Sequence, residues 1–343
     1  SCQSTSGGLD NFQFTFESYL DDNSLIEPDT FDACRTSDSQ SLSESIARFE
    51  EVNGRTYHSY RAGSYHYPND ATEKERLDDQ YEIVKIILDG RNYLAPLSRE
   101  NPPRHVLDIG TGTGTWAIEM GDEFPESQII GTDLSPIQPS HVPPNVRFFV
   151  EDSSEDWDYP HKFDYIHTRV TIGCWADMKS QIIKRAFDHL QPGGWFEAQE
   201  IFALPQCDDG TMPADSCFLR WILDMNRASE AADRRFLFGD QLESWLREVG
   251  FVDVQEAVFK LPINGWPKER ALKYIGMMWQ RNLLSGLSGF SLGLLHRVLG
   301  RSVEEVEVSL VDVRRDLFNQ QVHAYQKLHV VWGRKPLPSP NPR

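Results

Sequence analysis

With 343 residues, 39% of them hydrophobic, the chain is long enough to bury a full α/β core and carry an extra helical layer besides. Its 52 acidic residues against 34 basic ones give a formal net charge of −18, which argues against a protein that grips nucleic acid by neutralising phosphates with clustered Lys and Arg. The five cysteines (Cys2, Cys34, Cys174, Cys207, Cys217) form no CxxC pair and no zinc-spaced cluster, and no run of about 18 apolar residues occurs. Reduced thiols in a soluble, non-secreted protein with no metal and no membrane span are therefore expected.

Residues 1–50 hold ten acidic residues against two basic ones and lack a sustained apolar period, so residues 1–54 read as a largely disordered acidic arm. From Arg55 the composition changes to RTYHSYRAGSYHYPND, whose tyrosines can pack on a neighbour. A helix follows, with Asn69 or Asp70 as N-cap, Glu73 and Glu75 in its first turn, and Leu77, Tyr81, Val84, Ile87 and Leu88 at helical spacing. Residues 55–100 are thus an N-terminal lid segment and helix.

Residues 101–335 alternate short β-like runs with helical stretches, the pattern of a parallel sheet with crossover helices. The expected strands are 105–109, 127–133, 146–151, 163–169, 195–201, 252–259 and 329–336. Helices are expected at 115–124, at 179–190 before the turn QPGG, and at 241–249, the last with Asp240 as cap and Gly250 as stop. Segments 202–239 and 261–326 are too long for ordinary loops and read as helical cap insertions. The Pro-rich residues 336–343 read as a flexible tail.

The turn after the first strand is Asp108-Ile109-Gly110-Thr111-Gly112-Thr113-Gly114. Glycines there let backbone N–H groups approach a ligand. The third glycine comes two residues after the second, and Thr115 stands where a dinucleotide fingerprint needs glycine, so a dinucleotide site loses ground. Asp108 would repel a pyrophosphate but attract an ammonium group. At the end of the second strand, Asp133-Leu134 places a carboxylate where ribose hydroxyls can donate to it, and Asp152-Ser153 after the third can meet an exocyclic amine.

These residues resemble the class I S-adenosylmethionine-dependent methyltransferases: Asp108–Gly114 is similar to their first motif, Asp133 to the ribose motif, Asp152 to the adenine motif, and LQPGGWFEAQE to a late motif. More specifically, YHSYRAGSYHYPND, ERLDDQYEIV, IGTDLSPIQP, VPPNVRF and DYIHTR resemble the fungal LaeA-like branch, which includes velvet-interacting methyltransferases. Tyr81 departs from it, standing where many members have histidine. The resemblance implies an α/β class I methyltransferase Rossmann-like fold with a seven-stranded, mostly parallel sheet, an N-terminal helical lid and helical cap insertions. It implies S-adenosyl-L-methionine as cofactor and a role in regulating fungal secondary metabolism and development, in nucleus and cytoplasm. The partner it implies is a velvet-family or zinc-finger regulatory protein, or a second methyltransferase subunit.

Methyl transfer from a sulfonium has an activated leaving group, so positioning alone can supply on the order of 7–11 kcal/mol and no triad or metal is required. A hydroxyl or amine acceptor would still use a base. His167 is the first candidate and His66 the second, while Glu200 at the end of the fifth strand can face an acceptor or simply sit at a solvated strand end. The alternation Phe163, Tyr165, His167, Arg169 puts these side chains on one face, so His167 can equally be packed. Arg169 can reach the methionine carboxylate or pair with an acidic cap residue. Tyr60, Tyr65 and Tyr67 with Arg61 can close over the adenosyl group or simply pack on the core. Trp175, Trp221, Trp266 and Trp279 can line an apolar acceptor pocket, and Met277-Met278 can fill gaps in the cap. Three functions stay open: a LaeA-like regulatory methyltransferase acting on a protein, a small-molecule O- or N-methyltransferase of secondary metabolism, and a cofactor-binding scaffold with weak or no catalysis.

Overall fold

The computed structural model describes residues 49–61 and 63–338, so the arm expected over residues 1–48 and residues 339–343 of the tail lie outside the described residues. The boundary placed at residue 54 needs correction. Phe49–Val52 (β1) pairs antiparallel with Arg55–His58 (β2). Asn53 and Gly54 form the two-residue turn, at φ 52° and 72°, the backbone that matches the twist of a hairpin. Arg55 then donates to Asp70 at 3.0 Å, and Asp70 caps Ala71–Ile87 (α1) by accepting from the Glu73 backbone at 3.0 Å.

Seven strands build the main sheet: His105–Ile109 (β3), Gln128–Asp133 (β4), Val146–Val150 (β5), Phe163–Arg169 (β6), Leu190–Gln206 (β7), Val252–Pro262 (β8) and Tyr325–Arg334 (β9). Their order is β5-β4-β3-β6-β7-β9-β8. Strands β3 to β7 run parallel, and β9 runs antiparallel between β7 and β8. This is the seven-stranded, mostly parallel arrangement that the sequence resemblance implies.

The intervening helices are Thr115–Glu123 (α2), Lys184–His189 (α3), Cys217–Ala231 (α4), Leu242–Val249 (α5), Arg270–Ser291 (α6) and Val303–Phe318 (α7). Side-chain alternation along β3 sorts two layers: Val106 packs with Trp116, Ala117 and Met120 of α2, whereas Leu107 and Ile109 pack with Ala186 of α3 and Leu242 and Leu246 of α5. The single face expected for Phe163, Tyr165, His167 and Arg169 fails at its first member. Pairing between β6 and β7 shifts register between Phe163 and Tyr165, and Phe163 joins the Leu107 layer while Tyr165 stays with Trp116.

Other boundaries move for similar reasons. Leu190 already pairs with Phe163, so β7 begins before the QPGG irregularity, and it continues to Gln206; β8 continues to Pro262. The cap insertions expected at 202–239 and 261–326 are therefore helical only in their interiors, as α4 and as α6 with α7. A wider turn, Lys179–Ile183, leads into α3, and a short 3-10 turn at Gly239–Gln241 precedes α5. Asp240 makes no capping hydrogen bond, but Gly250 ends α5 at φ 113°.

The cap helices α4, α6 and α7 share one core with α1 and the β7–β9 side of the sheet, including Ile83, Val84, Ile222, Leu283, Leu310 and Leu328. Gly293, in the wider turn that extends α6, lets that backbone meet the N-terminal segment: a Cβ there would lie 1.9 Å from the His66 carbonyl oxygen. Helix α1 is fastened to α6 by a buried network. Arg76 Nη2 donates to Glu73 at 2.7 Å and Nη1 to Gln80 at 2.9 Å and Asn282 at 3.0 Å, while the Asn282 amide donates back to the Arg76 carbonyl at 2.7 Å.

Removing one member of such a buried pair leaves the other charge uncompensated. Arg76→Ala is expected to cost about 3–5 kcal/mol of unfolding free energy. Arg281→Ala, which breaks an exposed pair with Asp79 between the same helices, is expected to cost no more than about 1 kcal/mol. Urea denaturation of the two variants measures both, and equal costs would contradict this account.

Candidate functional site

Strand β3 carries Asp108 to the C-terminal edge of the sheet on the α2 face. Its carboxylate is fully engaged inside the protein: Thr111 Oγ1 donates to one oxygen at 2.6 Å, and His167 Nδ1 lies 2.8 Å from the other. His167 is completely buried, with its ring stacked on Trp116 at 3.9 Å between centroids. Burial pushes it below the ordinary imidazole range despite the neighbouring Asp108 carboxylate. Neither residue lines the cleft: His167 is the packed histidine of the two readings open to it, and Asp108, expected to meet the cofactor, instead holds the glycine turn from beneath through Thr111.

The turn is fixed from three sides. Gly110, Gly112 and Gly114 all have positive φ, at 69°, 58° and 82°. At Gly114 a Cβ would lie 2.4 Å from the Phe148 ring of β5, so close approach as well as backbone conformation requires glycine there. From the β4 side, Gly112 N–H donates to Asp133 at 2.9 Å and Thr111 N–H to the Thr132 carbonyl at 2.9 Å. From above, Asp78 of α1 accepts from Thr113 at 2.7 Å and from Thr115 at 3.1 Å.

Against this turn lies a cleft of about 1250 Å³, its open mouth included. The turn contributes Gly110, Thr111 and Gly112; the end of β4 contributes Asp133 and Leu134; the segment after β5 contributes Asp152 and Ser153; and β6 contributes Arg169. Asp133 accepts from the Ser135 and Gly112 backbones, and burial raises its carboxyl to about 6. Asp152 accepts from the Ser154 backbone at 2.9 Å and its hydroxyl at 2.6 Å.

Arg169 is a cation of this cleft with a buried donor left unmet. Its Nε donates to Gln199 at 2.8 Å, Nη2 donates to the Asn92 carbonyl at 3.1 Å, and the guanidinium sits 5.0 Å from the Tyr81 ring centre. Nη1 is buried with no partner among the described residues. A buried donor of a charged group in this state is matched by a ligand anion at low cost and is expensive left alone. Asn92, which orients it, carries no motif in the sequence. Its carbonyl also accepts from Trp116 at 2.9 Å and Gln199 at 3.0 Å, a role visible only once four separate segments are brought together.

Glu200 also needs correction. It does not line the cleft but is fully buried behind it, accepting from the Thr171 backbone at 2.8 Å and the Thr171 hydroxyl at 2.6 Å. Burial raises its carboxyl to about 8, against the lowering effect of those hydrogen bonds. His66 lines neither the cleft nor the apolar cavity beside it, and burial lowers it to about 4.

The segment after β2 roofs the cleft. His58 lies between the Tyr60 carbonyl at 2.7 Å and the Tyr65 carbonyl at 3.0 Å, Arg234 donates to the Ser64 carbonyl at 2.9 Å, and Arg61 pairs with Glu155. Tyr65 lines the cleft and the apolar cavity, Tyr67 only the cavity, and Tyr60 neither. Trp175 lines the cleft, Trp221 and Trp279 line the cavity, and Trp266 instead donates to the Ala324 carbonyl at 2.9 Å. Neither Met277 nor Met278 lines either space.

Residues 78–256 match the family described as a methyltransferase domain. Methyltransferase pytC of Aspergillus terreus is 41% identical over 297 residues, covering 86% of this chain and 91% of that protein. Secondary metabolism regulator LAE1 of Cochliobolus heterostrophus is 36% identical over 290 residues, covering 83% of this chain and 94% of the relative. Among solved structures, a phosphoethanolamine N-methyltransferase of Haemonchus contortus, in complex with phosphomonomethylethanolamine and S-adenosylhomocysteine, aligns with a TM-score of 0.43 at 17% identity, over 86% of this chain and 72% of that one.

The shift at Glu200 has a consequence for stability. An unfolded chain releases this proton near 4.5 and the folded one holds it to about 8, so the stabilisation is complete below 4.5 and is lost as pH rises through about 8. Urea midpoints taken from about pH 5 to about pH 9 are expected to fall for the unaltered protein and to fall less for Glu200→Gln. Parallel slopes for the two proteins would refute a proton held at Glu200.

Proposed function

Given that the chain belongs to the LaeA-like methyltransferases, we propose that it takes S-adenosyl-L-methionine as methyl donor and acts in the control of secondary metabolism, the role named for its relative LAE1. The observation that carries the donor assignment is the pairing, in one cleft, of an unmet guanidinium donor at Arg169 with the Asp133 carboxylate at the next-but-one strand end. Arg169 Nη1 would meet the methionine carboxylate, Asp133 the ribose hydroxyls, and the Asp152-Ser153 segment the adenine amine. The bound cofactor supplies a methyl group on a positively charged sulfur. The protein's own work is to hold, orient and dry that group: the fixed turn sets the position, and Tyr65, Leu77 and Tyr81 cover it. Control of secondary metabolism would be exercised with a velvet-family or zinc-finger regulator in nucleus and cytoplasm.

A second reading, methylation of a small molecule, is favoured by a specific observation: the apolar cavity that adjoins the cleft is walled by the cap helices.

The donor assignment is tested by calorimetric titration with S-adenosylmethionine. The hydroxyls donate to Asp133 as an anion, so affinity is expected to rise as pH increases through about 6 and to weaken below it. Arg169→Gln is expected to weaken binding roughly tenfold to a hundredfold, the worth of a charged hydrogen bond of about 1.5–3 kcal/mol. A folded protein that shows no heat of binding at any pH would remove the assignment.

A further inference from the structure

Beside the cofactor cleft lies a second, smaller space of about 660 Å³ with its open mouth counted in. Its walls come from α1, β7, α4, α6 and the roof segment, with Trp221, Met225, Phe236, Trp279 and Phe290 supplying most of the surface. Tyr65, Leu77, Gln80 and Val170 line both spaces, so the two adjoin along these residues.

The partition between them is strained. Val170 has φ 48°, a left-handed backbone that a β-branched residue rarely adopts. It is held there by its own N–H, which donates to the Gln199 carbonyl at 2.9 Å, and by the double attachment of Thr171 to Glu200. Gln199 and Glu200, which line neither space, thus help maintain a costly conformation at the place where the two spaces share the turn after β6.

The indole and guanidinium groups of the cavity are already met within the protein. Trp279 Nε1 donates to Gln326 at 2.8 Å, and Trp221 Nε1 to Ser291 at 2.8 Å. Arg76 is already engaged by Glu73, Gln80 and Asn282. A ligand there would find mainly ring faces and aliphatic surface and no free counter-charge, with the Tyr65 and Tyr67 hydroxyls and the Gln80 amide to meet one or two polar atoms, fewer than the successive backbone N–H and C=O groups of a peptide need.

We propose that this cavity is the methyl-acceptor site and that it takes an uncharged, largely apolar, ring-bearing small molecule, with its nucleophilic atom directed past Val170 and Tyr65 toward the cleft. This inference rests on the donor assignment above. For a hydroxyl acceptor, the oxygen lone pair forms the new bond to the methyl carbon, the carbon–sulfur pair returns to sulfur, and the hydroxyl proton leaves to water at the open mouth.

The test uses ligand binding to the full chain, with tryptophan fluorescence as readout and naphthol, naphthoate and N-acetylmethionine amide as probes. Naphthol is expected to quench Trp221 and Trp279 saturably, and naphthoate to bind at least about tenfold more weakly because its charge would be buried unpaired. Ala203→Phe, which fills the cavity from β7, is expected to lower naphthol affinity by at least about tenfold and to leave S-adenosylhomocysteine affinity unchanged. Trp279→Phe keeps an aromatic wall and is expected to remove a large part of the quenching, which keeps the test decisive if the filled variant does not fold. Naphthoate binding as tightly as naphthol, quenching untouched by both variants, or saturable binding of the methionine amide in place of naphthol would overturn the proposal. Loss of S-adenosylhomocysteine binding in the unaltered protein would instead remove the donor assignment, so the two failures are distinguishable.

Discussion

A carboxylate buried at the end of a central strand has to be met by donors, and the structure around the cleft follows from how Asp108 is met. One oxygen takes the Thr111 hydroxyl, which fixes the glycine turn, and the other takes His167, which is held flat by Trp116 of the helix that the turn opens. The strand, the turn and the first turn of α2 are thereby coupled through one group. With its side chain so constrained, the loop can present backbone N–H groups and glycine surfaces to a ligand without rearranging, and preorganisation of this kind is where a methyltransferase gains rate. Asp108 shapes the cleft although its side chain does not enter it.

The same logic divides the acidic and basic groups of the site into two sets. Asp133, Asp152 and Arg169 lie on the cleft wall, and Arg169 keeps one donor, Nη1, without a protein partner among the described residues. Asp108, His167, Glu197 and Glu200 are fully or almost fully buried behind that wall: Asp108 and His167 meet each other and the Thr111 hydroxyl, while Glu197 takes the Leu94 and Ala95 N–H groups at 3.0 and 2.7 Å, as Glu200 takes Thr171. A chain of the LaeA-like methyltransferases thus needs its buried carboxylates for architecture. Neither residue first considered as a base is in a position to touch an acceptor, which is consistent with a reaction whose leaving group is already activated.

Much of this architecture was legible in the sequence because its signals are local. The strands of the parallel sheet are short apolar runs separated by helical ones, and the residues at their C-terminal ends, Asp133, Leu134, Asp152 and Ser153, necessarily fall on one edge. The Asn53-Gly54 hairpin carried an equally local signal, but it sits at the border of an acidic segment whose composition dominates a coarse reading. Other features were not legible in principle. Whether His167 and Glu200 point into the cleft or behind it depends on where α2 and the turn after β6 lie, and Phe163 changes layer because of a register shift that no period reveals. Asn92 acts through its carbonyl, which every residue has.

The cap shows where specificity is written in such a fold. Strand ends and the glycine turn hold what is common to the donor, and they tolerate little change: Gly114 cannot take even a Cβ beside Phe148. The second cavity is made largely from insertions and the N-terminal segment set against β7 and β9, joined where α6 meets the His66 backbone at Gly293 and where α1 meets α6 at Arg76. Those elements can exchange Trp221 or Phe290 for other side chains without touching Asp108 or the glycine turn. The two spaces meet at Val170, whose strained backbone is sustained by a buried glutamate on the neighbouring strand. A fold arranged in this way can keep one donor geometry while its relatives diverge in what they methylate.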